Sequence, residues 1–191
     1  MACSVVLPGL RLVSEVLSEF IYREGMGPAK NELASGVSGR PLAARWHRVD
    51  AGVQRVRDAT NSDHPYACLS AVADTLDALY DLWELWKEKA SLDLRAQDAC
   101  VNGDGAGETA AALIFARGSK THALVTFGVV TDTFTDTFHE TYGCWRWQHY
   151  SEENPRYATR IEWFGTRVSG HEVLPPLVDA VAWLRTRPEL I

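Results

Sequence analysis

HPYACLSAVADTLDALYDLWELWKEKA, residues 64–90, decides the fold class. Leu69, Val72, Ala73, Leu76, Leu79, Tyr80, Trp83 and Trp86 recur at three- and four-residue steps, the period of an α-helix. Leu82 and Leu85 widen the apolar face, while Asp74, Asp77, Asp81, Glu84, Lys87 and Glu88 take the remaining positions. Pro65 fits the first turn, where its missing N–H costs nothing. A long helix with so wide an apolar face packs against more than one neighbour.

Other helices follow on both sides. Leu10, Val13, Leu17, Phe20 and Ile21 give an amphipathic helix that stops at GMGP, followed by a long connection over 25–40. Residues 41–59 give a second helix, with Leu42, Trp46, Val49, Val53 and Val56 as its stripe. Arg40, Arg45, Arg48, Arg55 and Arg57, with His47, read as its solvated face or as a phosphate contact. QDACVNGDGAG reads as a loop. Residues 107–127 then carry an unbroken apolar run from Ala110 to Ala116, with Glu108 near its start, where a carboxylate favours the helix dipole. A helix apolar all round belongs at the centre. Its second half, ARGSKTHALVTFG, is polar and contains Gly118, a local inconsistency of the kind that accompanies function.

Beyond Gly128 the rhythm changes to period two. VVTDTFTDTF is extended, and GCWRWQHY and RYATRIEWF, separated by SEENP, read as the two arms of a β-hairpin. A closing helix spans 174–186, with Pro175 and Pro176 near its start. The expectation is one domain over 1–191: a helical core at 9–127, an extended hairpin segment at 129–164, and the closing helix. The fold class is mainly α, a bundle of four or five helices with a small antiparallel β-hairpin near the C-terminus.

Composition narrows the function classes. Hydrophobic residues make up 46 % and charged residues 23 % of 191, globular values that argue against disorder. A net charge of −6 argues against a broad nucleic-acid surface. Seven tryptophans imply aromatic core walls or an interface. No run of 18 apolar residues and no basic leader pattern suggest neither a membrane span nor a signal peptide. Cys3, Cys68, Cys100 and Cys144 are scattered without a CxxC pair and read as reduced, mostly buried thiols in a cytoplasmic protein. No metal is expected from His139, Glu140, His149 and Glu153, which lack a ligand pattern. Asp132 and Asp136 read as solvated. No cofactor is expected, because there is no phosphate loop of the P-loop kind and GDGAG follows no strand.

The candidate site is Arg117 and His122 in FARGSKTHAL, with Lys120 and Thr121 as accessories. An arginine fork binds phosphate and a histidine moves protons near neutral pH, which together suit transesterification of an RNA backbone. On a continuous helix five residues turn through about 500°, so the two side chains diverge by about 140°. A groove between two copies of the helix would gather both pairs. The bland reading pairs Arg117 with a helix carboxylate and buries His122 as a satisfied core histidine.

R-x4-H on a late, central helix resembles the HEPN superfamily, whose ribonuclease members carry R-x4–6-H. The stretches FARGSKTH, GCWRW and GHEVLPPLVDAVAWL, within residues 65–187, are also similar to small actinobacterial proteins with an F/Y-A-R-N-x-x-x-H helix, a tryptophan-rich hairpin and a short last helix. The resemblance implies a homodimer and places the chain among RNA-cutting toxins, toxin–antitoxin or phage-defence components, and inactive scaffold members. Gly118 stands where the family commonly has a polar residue, usually Asn, and that departure points away from catalysis. Two readings follow. The first is a non-catalytic interaction or regulatory protein with a protein partner. The alternative is a metal-independent endoribonuclease or toxin that acts on RNA.

Overall fold

The computed structural model describes residues 40–61, 65–118, 125–133, 139–150 and 154–191. The expected helix at 9–23, its following connection, Cys3, and the accessories Lys120 and Thr121 with His122 lie outside the described residues. Residues Arg40–Ile191 form one compact unit.

The unit is mainly α. Helices α1 (Leu42–Thr60) and α2 (Pro65–Lys89) pack along each other. They are followed by α3 (Leu94–Val101), the central α4 (Gly105–Gly118), the short α5 (Ala158–Trp163), and α6 (Leu174–Arg185). A 3-10 turn at Pro155–Tyr157 leads into α5, and a π-turn at Phe164–Val168 leaves it. A second 3-10 turn, Pro188–Leu190, ends the chain. Helix α4 is buried without interruption from Gly107 to Ala116, and α2, α5 and α6 pack around it.

The fold expectation is corrected in its helix number and in its hairpin. Six α-helices are present among the described residues, not four or five. The hairpin expected across SEENP does not form, because only its first arm is a strand. Residues 156–164 are helical instead: Asn154 accepts a hydrogen bond from Arg156 N through its side chain, and Pro155 occupies the first turn. That pair is a helix start, and it overrides the alternating pattern of RYATRIEWF. The GCWRW strand belongs to β2 (His139–Trp147), which pairs backward and antiparallel with β1 (Val125–Thr133), Val125 opposite Trp147. The far edge of β2 is met by residues 170–173, where Gly170 N donates to Trp147 O and Val173 N to Trp145 O.

Two further differences have local causes. The loop expected at QDACVNGDGAG begins inside α3, whose N-cap Asp93 accepts from Ala96 N at 2.8 Å. Leu94, Gln97 and Val101 supply its inward face, Gln97 and Val101 being buried. Of the helix expected over 107–127, α4 is described up to Gly118, and Val125–Phe127 are in β1 instead, as their β-branched and aromatic character favours.

Six of the seven tryptophans are core, and Trp46 packs against it half-buried. Trp83, Trp86, Trp145, Trp147, Trp163 and Trp183 are all buried. Arg45, expected on a solvated face, is 2 % exposed and bonds Asp81 through both the carboxylate, at 2.8 Å, and the backbone carbonyl, at 2.9 Å. Of the described cysteines only Cys68 is buried. Cys144 is half-buried and Cys100 exposed, which corrects the expectation of mostly buried thiols. Burial pushes the Cys68 thiol up to about 11.

Two glycines permit close helix approach. A Cβ on Gly52 of α1 would stand 2.7 Å from Thr75 Oγ1 on α2, and one on Gly107 would stand 2.8 Å from Trp183 Nε1. A Cβ on Gly118 would meet nothing within 4 Å. Gly52→Ala and Gly107→Ala are therefore expected to destabilise the protein by roughly 1–3 kcal/mol through overpacking, despite their better helix propensity. Gly118→Ala is expected to be neutral or to stabilise by no more than about 1 kcal/mol. Urea unfolding of the three variants checks the order. In a thiol-labelling time course, Cys100 is expected to react in the native protein, and Cys68 only once denaturant opens the core, since a buried, protonated thiol is a poor nucleophile.

Candidate functional site

A cleft of about 540 Å³ opens where three helix ends meet on one face of α2. Tyr80, Trp83, Glu84 and Lys87 lie three and four residues apart, so helical spacing puts them on one side of α2. The C-terminal end of α4 faces them with Phe115, Arg117 and Gly118. The beginning of α3 contributes Asp93, Leu94 and Gln97, and the approach to α5 brings Asn154, Arg156, Tyr157 and Arg160.

Arg117 reaches across the rim. Its Nε donates to Asp77 Oδ1 at 2.7 Å, and its guanidinium carbon lies 4.3 Å from the ring centroid of Tyr80. Asp77 and Tyr80 are one turn apart on α2, so a single arginine ties the end of α4 to two successive positions. Arg117 is also the basic residue of the last turn of α4, where a cation favours the helix dipole. The ion pair is open to water, with side chains 36 % and 54 % exposed. Tyr80 has its phenol pushed up from the usual range, first by burial and then by the charge of Glu84, so it stays a neutral donor at physiological pH.

Arg160 is the deeper cation. It is 4 % exposed, and its Nε donates to Asp98 Oδ1 at 2.8 Å and its Nη2 to Gln97 Oε1 at 3.1 Å. The same Gln97 oxygen accepts Trp83 Nε1 at 2.9 Å, while Gln97 Nε2 donates to Leu92 O. The Arg160 guanidinium stands 5.4 Å from the Trp83 ring centroid. One buried network thus locks α5, α3 and α2 together under the cleft.

Of the residues expected at the site, Arg117 lines this cleft, and His122, Lys120 and Thr121 lie outside the described residues. The 140° divergence expected on a continuous helix concerns His122 and lies outside the described residues. Sequence reading missed Arg156 and Arg160. Taken as a strand, RYATRIEWF gives no reason to connect them to α2. The Asn154–Pro155 helix start was the signal that places them four apart on a helical segment. His139 and Glu140 are in β2, and His149 is exposed in the segment after it. Among the described residues no group of three or more His, Cys, Asp or Glu could hold a metal ion.

Comparison with family models, curated proteins and solved structures finds no match. Among the described residues no helix is long and apolar enough to cross a membrane.

The two arginines differ in what their loss should cost. Arg117→Ala removes an exposed pair and a stacked cation, expected to cost about 1 kcal/mol or less. Arg160→Ala strips partners from Gln97 and Asp98 beneath the cleft and is expected to cost roughly 3 kcal/mol. Thermal and urea unfolding of both variants measures the contrast. Equal losses would contradict the assignment of Arg160 as the structural cation.

Proposed function

We propose that this chain is a non-catalytic interaction or regulatory protein of the HEPN-like type, acting in the cytoplasm in a defence- or phage-related setting. The observation that supports this reading is the engagement of Arg117. Its Nε is held by Asp77, and its guanidinium lies over Tyr80. An arginine fork that serves a scissile phosphate has to present its donors to that phosphate. Here Nε is committed to a neighbouring carboxylate, and the dipole of α4 adds a second structural reason for a cation at that position. Gly118 in place of the family's polar residue supports the same reading. Free thiols at Cys68, Cys100 and Cys144 suit a reducing compartment.

The alternative, a metal-independent endoribonuclease with Arg117 on the phosphate and His122 as general base or acid, has one observation in its favour. Arg117 lines an open cleft rather than the core. Whether the partner is a second copy or another protein also belongs to this proposal. The wide apolar face of α2 is largely spent inside the chain: Leu76, Leu79, Leu82, Trp83 and Trp86 are buried, and Tyr66 is left 61 % exposed. Sedimentation velocity at high micromolar concentration distinguishes the two, and a strict monomer removes the homodimer.

The deciding experiment incubates wild-type and His122→Ala protein with labelled single-stranded RNA and tRNA in a chelator. RNA is expected to stay intact with both. Cleavage by the wild type, lowered roughly 10²- to 10⁴-fold in His122→Ala, would overturn the non-catalytic reading.

A further inference from the structure

Three of the four cations that line the cleft are held in ion pairs, and the fourth, Arg156, is in none among the described residues. Four cations and two carboxylates line it, in a chain whose net charge is −6. Lys87 is paired with Glu84, and Arg117 with Asp77. Arg156 is exposed and makes no ion pair among the described residues; its guanidinium lies 5.4 Å from the ring centroid of Tyr157. Arg160 satisfies Nε on Asp98 and Nη2 on Gln97, and its Nη1 has no hydrogen-bond partner among the described residues. A nearly buried guanidinium that keeps one nitrogen uncommitted, in the wall of a cleft, is a donor held ready for an oxyanion. The half-buried Tyr157, Leu92 and Leu94 add a partly apolar wall beside it. The volume of about 540 Å³ falls in the range of small-molecule sites.

We propose that this cleft binds a small aromatic oxyanion, a planar ring bearing a carboxylate or a phosphomonoester, with the oxyanion on Arg156 and Arg160 and the ring against Tyr157 and Leu94. The inference rests on the reading of the cleft as a binding surface that does no chemistry. It names the effector such a regulatory protein would sense. Arg160 is prearranged by its two other bonds, so the ligand spends little on ordering it. Arg156 supplies an accessible charge that no described carboxylate neutralises. Neither half of the ligand suffices alone, since the cations recognise only the oxyanion and the apolar wall only the ring.

Isothermal titration calorimetry on the full chain tests this with phenyl phosphate, benzoate, inorganic phosphate and phenol. Phenyl phosphate or benzoate is expected to bind with Kd on the order of 1 mM or tighter, and whichever binds more tightly identifies the anion. Inorganic phosphate and phenol are expected to be at least roughly tenfold weaker, a factor that corresponds to about 1.4 kcal/mol. Arg156→Glu should weaken binding by a similar factor without lowering the unfolding midpoint, since Arg156 holds no other described element in place. Arg160→Lys, which keeps the charge but loses the fork, should also weaken it. The proposal is overturned when neither ring-bearing anion binds, when inorganic phosphate or phenol alone binds as tightly, or when Arg156→Glu keeps wild-type affinity. Conversion of phenyl phosphate to phenol and phosphate would instead overturn the non-catalytic reading, and it is scored separately by assaying released phosphate.

Discussion

The requirement that a buried indole N–H find an acceptor organises this molecule. Trp83, Trp86 and Trp183 form one aromatic node between α2 and α6, with centroids 4.9 to 5.7 Å apart in stacked and edge-on pairs. Burying such rings is strongly favourable, but each brings a donor that is costly to leave unmet. Trp83 Nε1 is met by Gln97 on α3, and Trp183 Nε1 by Asp104 at the start of α4. The same rule operates outside the node, where Trp147 donates to Val173 O and Trp46 to Leu190 O. Every one of these bonds joins segments distant in sequence. The acceptors therefore fix α3 against α2, the start of α4 against α6, residues 170–173 against β2, and the chain end against α1.

Asp104 shows how closely these demands are coupled. Its Oδ2 accepts Trp183, while its Oδ1 accepts the backbone N–H groups of Ala106 and Gly107 at 3.2 and 3.3 Å. One carboxylate caps the central helix and anchors a core indole. Gly107 is the geometric consequence, because the ring that reaches Asp104 passes where a Cβ would stand. Glu108 then takes Gly103 N and Arg167, tying the π-turn to the same helix start. The GDGAGE segment, which looks like a loop in sequence, is thus tied to α6 and to the π-turn by side-chain hydrogen bonds.

Long apolar periodicity was readable: α1, α2 and α6 lie within a residue or so of where their stripes place them. Short elements were not. Helices α3 and α5 have eight and six residues, too few for the periodic signal to outweigh competing patterns, and only their caps, Asp93 and Asn154–Pro155, announced them. The burial of Arg45 could not be read from α1 alone, since its partner Asp81 lies 36 positions away on a face that looks polar. The cleft inherits that difficulty. Its floor comes from a readable helix, but two of its walls come from the two short helices, so Arg117 was visible as a candidate and Arg156 and Arg160 were not.

The end of α4 explains why Arg117 admits two readings. A helix buried on every side has its C-terminal carbonyls pointing toward the cleft, and the last turn needs positive charge or donors there. Arg117 meets that need through its charge while Asp77 and Tyr80 hold it in place. A cation favoured by the fold is therefore found where a phosphate-binding cation would also be placed, and its identity alone carries little information about chemistry. Arg156 carries more. It stands in the first turn of a helical segment, where the dipole disfavours a cation, and it neutralises no described carboxylate. A cation with no described carboxylate, beside a buried arginine with a donor to spare, is the arrangement on which the proposed oxyanion site rests.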